Sequence, residues 1–99
     1  MQKLILVDSK TGERLLEFDK SLEGLSRLAD FSCELISEQK KLWRNSQDTL
    51  RRNLRTAAAN DFMQNRIDWT DDVVNRYGLE IVPIEQIERE SKRRGWIKE

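Results

Sequence analysis

The chain contains no histidine, one cysteine, one proline and four glycines in 99 residues. Without histidine, the ordinary acid–base group of neutral pH and the commonest zinc ligand are both missing. Cys33 alone can form neither an intramolecular disulfide nor a cysteine-based metal cluster. Its neighbours Leu28, Phe31, Leu35 and Ile36 are apolar, so it reads as a small buried hydrophobe rather than a reactive thiol. The scattered glycines cannot build a phosphate-cradling loop or a dinucleotide fingerprint. The longest aliphatic run near the start, residues 4–7, is far too short to cross a bilayer or act as a signal core. These absences lead us to expect a cytoplasmic, non-enzymatic protein with no cofactor, no metal and no membrane contact.

Charge is abundant but balanced. Lysine plus arginine and aspartate plus glutamate each number 18, and charged residues make up 36% of the chain. That exceeds the roughly 25% of a typical domain and suits a helical protein with solvated faces. A global field that would draw the chain onto DNA or lipid is absent. The charge is nevertheless segregated. Residues 40–66 carry Lys40, Lys41, Arg44, Arg51, Arg52, Arg55 and Arg66 against Asp48 and Asp61. Residues 67–90 are acidic, and residues 92–98 turn basic again through Lys92, Arg93, Arg94 and Lys98.

The length fits a single domain, residues 1–99, and the patterning predicts an α+β, mostly helical fold. Residues 3–18 read as a β-hairpin whose turn holds Asp8 and Gly12. Asp19 or Ser21 is placed to cap a helix. From there apolar residues recur at helical spacing over 20–66. Two rows step by seven: Leu28, Leu35, Leu42, and Ala29, Ile36, Trp43, Leu50, Ala57. That stripe suits either a helical hairpin or one long rod of about 70 Å at 1.5 Å per residue. No proline or glycine lies between Gly24 and Gly78, which favours a near-continuous helix, kinked near Asn45 and Ser46. Such a rod could bury its stripe only against another copy, so a homodimer is expected.

Residues 70–95 resemble a helix-turn-helix segment. Thr70 stands as the cap of a helix over 71–77, and Gly78 occupies the turn. Residues 79–82 form an apolar strand or turn, and Pro83 opens a last helix that ends at Gly95.

Two binding roles follow. In the first, the chain is a small regulatory or inhibitory protein that recognises a partner protein through the basic middle helix. Its contacts would be Trp43, Arg44, Arg51, Arg52 and Arg55. In the second, it is a DNA-binding regulator, with Lys40, Lys41, Arg51, Arg52, Lys92, Arg93 and Arg94 on phosphates and Gln86 as the base reader. Both compete with a plainer expectation, that the acids of residues 67–90 fold against the arginines and neutralise them. Carboxylates at Asp68, Asp71, Asp72, Glu80 and Glu85 offer no fixed pair for acid–base or metal chemistry.

Overall fold

A computed structural model describes residues 2–96. Two strands open the chain, β1 (Lys3–Asp8) and β2 (Arg14–Asp19). Two long helices follow, α1 (Leu22–Lys40) and α2 (Arg44–Gln64). A short helix α3 (Asp68–Asn75), a third strand β3 (Leu79–Pro83), a single 3-10 turn (Ile84–Gln86) and a last helix α4 (Ile87–Arg93) complete it. The expected α+β, mostly helical class is what the chain adopts.

The sheet is antiparallel in the order β2-β1-β3. β1 is therefore central, and it is buried from Leu4 to Val7. Alternation along a strand sends neighbours to opposite faces. Leu4 and Leu6 face a core made with Phe18, Leu25, Leu28, Ile36, Leu50, Leu54 and Val74. Ile5 and Val7 face a smaller cluster with Val82, Ile87 and Trp96. A strand covered on both faces reads as an unbroken aliphatic run, and residues 4–7 are that run. Opposite the step from Leu6 to Val7 the register shifts, because Leu6 pairs with Leu16 and Val7 with Arg14. Leu15 is the extra residue of this bulge, and both leucines reach the larger core.

Residues 20–66 form a helical hairpin, not a rod. The largest dimension of the molecule is 42 Å, well short of the rod's length. The break falls at residues 41–43 rather than at Asn45 and Ser46, which lie inside α2. Lys41 supplies it by taking the left-handed conformation (φ 50°), its amide donating to the carbonyls of Ser37 and Glu38. Asn65 ends α2 in the same way (φ 54°). Glycine is the usual residue for such ends, and the lack of glycine there concealed both breaks. A side chain in this region costs about 1–2 kcal/mol, partly recovered because glycine is floppier when unfolded. Lys41→Gly is therefore expected to stabilise the protein by about 0.5–1 kcal/mol, read as a higher urea midpoint at unchanged slope. A lowered midpoint would contradict this account of the break.

The stripe expected to join two copies is spent inside one chain. Leu28, Ala29, Ile36, Leu50 and Ala57 are all buried, and Leu35 and Leu42 pack against the same core. The stripe that was expected to join two copies is thus covered within a single chain. Trp43 alone of the two rows stands clear, 85% exposed.

The helix-turn-helix expectation also fails. Five residues of β3 separate α3 from α4, and they pair with β1 from Leu79 opposite Asp8 to Pro83 opposite Leu4. A strand anchored in a sheet cannot serve as the tight turn that sets a recognition helix against its neighbour. The first helix is also shifted. It starts at Asp68, and Thr70 is buried in its first turn instead of capping it. Ser21 does cap α1, its Oγ accepting from the Gly24 amide at 2.9 Å. Gly95 adopts φ 71° after α4, and Trp96 folds back onto the second cluster. Ile97, also expected to fold back, and Lys98 of the terminal basic run lie outside the described residues.

Candidate functional site

The hairpin is antiparallel, so Asp30 of α1 comes level with Arg55 of α2. That decides what the arginine face looks like. Arg51 and Arg55 turn towards the α1 side. Arg55 Nε lies 3.0 Å from Asp30 Oδ1, and Arg51 Nη1 lies 3.6 Å from Asp48 Oδ1. Arg52 stands on the outer crest and lines depressions on both flanks of the helix. Neither it nor Arg44, Lys40, Lys41 or Arg76 forms an ion pair with a described residue.

Neutralisation by the acidic segment, residues 67–90, does not occur in the expected way. Among the described residues only Asp68 of that segment pairs with a cation of the basic stretch, lying 3.8 Å from Arg66. Glu80 and Glu90 hold Arg94, whose guanidinium also lies 4.9 Å from the Trp96 ring centroid. Glu80 beside Arg94 raises the guanidinium pKa, while Arg93 and Arg94 lower that of Glu90. Asp71 is pushed up by burial, with Glu80 and Asp72 adding repulsion and the Ile81 amide and Asn75 opposing it. Glu85 meets Gln2 at 3.4 Å. The partners of Arg51 and Arg55 are instead Asp48 and Asp30, in solvent-exposed pairs. Such pairs are worth about 0–1 kcal/mol, so an incoming carboxylate could replace either aspartate at little cost.

The residues assigned to DNA contact do not form one surface. Lys40, Lys41, Arg51 and Arg52 belong to the helical hairpin on the Leu4–Leu6 face of the sheet. Gln86, Lys92, Arg93 and Arg94 belong to the segment that packs with Ile5 and Val7 on the other. Arg94 is held by Glu80 and Glu90, and Arg93 reaches Glu90 at 2.6 Å. Of the residues assigned to a protein partner, Trp43 stands just before α2, Arg44, Arg51 and Arg55 share one face of it, and Arg52 stands to the side of that face. Twelve residues of helix place Trp43 and Arg55 about 18 Å apart along the axis.

A further feature lies beside this strip. Between α2 and α3 runs an open groove of about 450 Å³. Its walls carry Arg52, Thr56 and Ala57 on one side and Trp69, Val73 and Arg76 on the other. Trp69, Val73 and Arg76 are spaced i, i+4, i+7, which is one helix face. That signal was present in the sequence. Thr70 hides it, because a cap at that position places Trp69 outside the helix, whereas α3 begins at Asp68.

α3 starts early because of Asp61. This carboxylate of α2 is only 1% exposed. Its Oδ1 accepts from the Trp69 amide at 3.1 Å and its Oδ2 from the Thr70 amide at 2.7 Å. A negative group at the positive end of a helix, bonded to amides that otherwise lack partners, is favourable on both counts. Asp61 thereby docks α3 on α2 and creates the groove.

Cys33 is buried, with its sulfur 3.6 Å from the Gln47 carbonyl oxygen. None of the described helices is long and apolar enough to cross a membrane. The chain matches no family model, no curated protein and no solved structure.

Proposed function

We propose that this chain is a non-enzymatic binding protein of the cytoplasm that recognises an acidic surface of a partner protein through the exposed face of α2. The observation that carries the proposal is the isolation of Trp43. Every other residue of its two heptad rows is packed into the core, whereas this indole is 85% exposed at the head of a helix bearing Arg44, Arg51, Arg52 and Arg55. An exposed tryptophan next to arginines has the composition of an interaction hot spot. The sheet between the two basic regions favours a protein partner over duplex DNA, because phosphate contacts from both regions cannot be made on one ligand surface.

The test is a comparison of two charge reversals. Arg44→Glu, Arg51→Glu and Arg55→Glu are combined in one variant, and Lys92→Glu with Arg93→Glu in another. Immobilised wild type and the second variant should retain the same protein from a lysate, released by high salt, while the first variant should retain it at least tenfold less. Equal retention on both variants removes α2 from the interaction. Tight salt-dependent binding of mixed-sequence duplex DNA, lost only when both regions are reversed, would replace the proposal with the DNA reading.

A further inference from the structure

The groove between α2 and α3 is open to solvent and apolar at its centre, where Trp69 remains 54% exposed. On the rims stand Arg52 of α2 and Arg76, the residue that follows α3, and neither forms an ion pair with a described residue. Val73 sits between them over the buried Ala57, and Asp72 lies on the α3 wall. An apolar trough with a cation without an ion-pair partner on each margin asks for a ligand that is apolar in the middle and anionic towards both margins.

The backbone decides the form of that ligand. Both walls are helices, whose interior amides and carbonyls are bonded within the helix. They offer no row of main-chain partners of the kind an extended peptide needs when it adds to a sheet edge. An extended segment in the groove would lose water from its own amides and carbonyls and regain little from the Asn53 and Thr56 side chains. A helical segment arrives with its backbone already satisfied. It can also lay one face along the i, i+4, i+7 row of Trp69, Val73 and Arg76.

We infer that this groove receives an acidic amphipathic helix of a partner protein. An apolar face would pack on Trp69, Val73 and Ala57, with one carboxylate reaching Arg52 and another reaching Arg76. Asp72 shares the α3 wall. It disfavours a third carboxylate at its own level and so fixes where along the helix the acids fall. The long helix α1 of a second copy does not supply such a helix: beyond Leu22 at its start, its solvent side carries Glu23, Arg27, Glu34 and Glu38. The acidic α3 of a second copy is only eight residues long, and self-association on light scattering would assign the groove to it. The inference rests on the reading of α2 as a protein-recognition helix and adds to it the partner's chemistry and the groove.

The experiment is a selection with a displayed library of helix-forming 18-residue peptides, randomised on one face, against the immobilised full chain. Enriched peptides should carry apolar residues at i and i+4 flanked by Asp or Glu. Measured by isothermal titration, their affinity should fall at least tenfold on Arg52→Glu with Arg76→Glu, and likewise on Trp69→Ala. A central proline in the peptide should abolish binding. Circular dichroism and thermal melting of the variants establish that they remain folded, since all three side chains are exposed. Enriched peptides that are basic, that bind equally to the groove variants, or that tolerate proline overturn the inference. Peptides that ignore the groove variants but lose affinity on the Arg44, Arg51 and Arg55 reversal overturn the groove and leave the broader reading standing. No enrichment at all overturns the groove inference and leaves the reading of α2 to the lysate comparison.

Discussion

Replacing Asp61 with alanine is expected to lower stability by about 3 kcal/mol. The carboxylate is nearly inaccessible and holds the Trp69 and Thr70 amides at 3.1 and 2.7 Å. Removing it leaves two helix-terminal donors without acceptors in a site that water reaches poorly. A lost capping residue alone costs about 0.5–2 kcal/mol, and a buried unpaired donor about 1–3 kcal/mol. Ile67, which precedes α3, has no polar side chain to take over. Asp61→Asn keeps one acceptor oxygen and loses the charge at the helix end, so it should cost about half as much. Urea unfolding gives the totals, and amide exchange locates them. Protection should drop first in α3 and leave α1 as it was. An alanine variant within 0.5 kcal/mol of wild type would mean that α3 is held by its apolar contacts alone.

The second large effect is expected at Gly12. This residue turns the hairpin with φ 74°, where a side chain costs about 1–2 kcal/mol. A β-carbon there would also overlap the indole of Trp96. Trp96 packs against Ile5, Val7, Val82 and Ile87, so moving it uncovers the smaller of the two cores. Gly12→Ala should therefore cost about 2–4 kcal/mol, more than the backbone strain by itself. A double-mutant cycle separates the two contributions. The β-carbon of residue 96 is part of the contact, so the background is Trp96→Gly, in which the collision is gone and Gly12→Ala should cost only the backbone share of about 1–2 kcal/mol. Strict additivity of the two substitutions would refute the contact.

These two positions also mark where sequence reasoning reached and where it stopped. The hairpin was legible because Asp8 and Gly12 punctuate two apolar runs. The last helix was legible at its end before Gly95 but not at its start, because Pro83 closes β3 and a 3-10 turn precedes Ile87. The stripe from Leu28 to Ala57 correctly pointed to core, but its partner was misplaced. Nothing in the sequence distinguishes a stripe closed on itself from a stripe shared with another chain, except a break. The break was made by Lys41, a residue with no special liking for the left-handed region. Residues 79–83 could be a strand or a turn on local pattern. Pairing with β1, some seventy residues earlier, made the decision. The capping role of Asp61 is tertiary in the same sense. An aspartate in the last turn of a helix looks like a surface residue until α3 is known to lie against it.

The candidate site was partly legible for the same reasons. Trp43 and the arginines were identifiable by type and spacing, and all five lie at the head of α2 or along its solvent side, Arg51 and Arg55 in ion pairs and Arg52 without one among the described residues. Which acids oppose them depended on the antiparallel return of α2, which brings Asp30 to Arg55. The groove depended on where α3 begins.

The position of β1 has a consequence for how the chain is made. β1 lies between β2, its neighbour in sequence, and β3, which follows the helical hairpin. During synthesis β1 and β2 can pair early, but the other margin of β1 stays open until residues 79–83 emerge. Closing a loop of that length costs on the order of 4 kcal/mol of chain entropy, and Ile5 and Val7 lack their apolar cover until Val82 and Ile87 arrive. For that interval the nascent chain shows a bare strand margin and a greasy face together, the pairing of features that chaperones bind and aggregates propagate. The final step of assembly would then be the joining of the third strand, and its speed would decide how much of the newly made protein survives to fold.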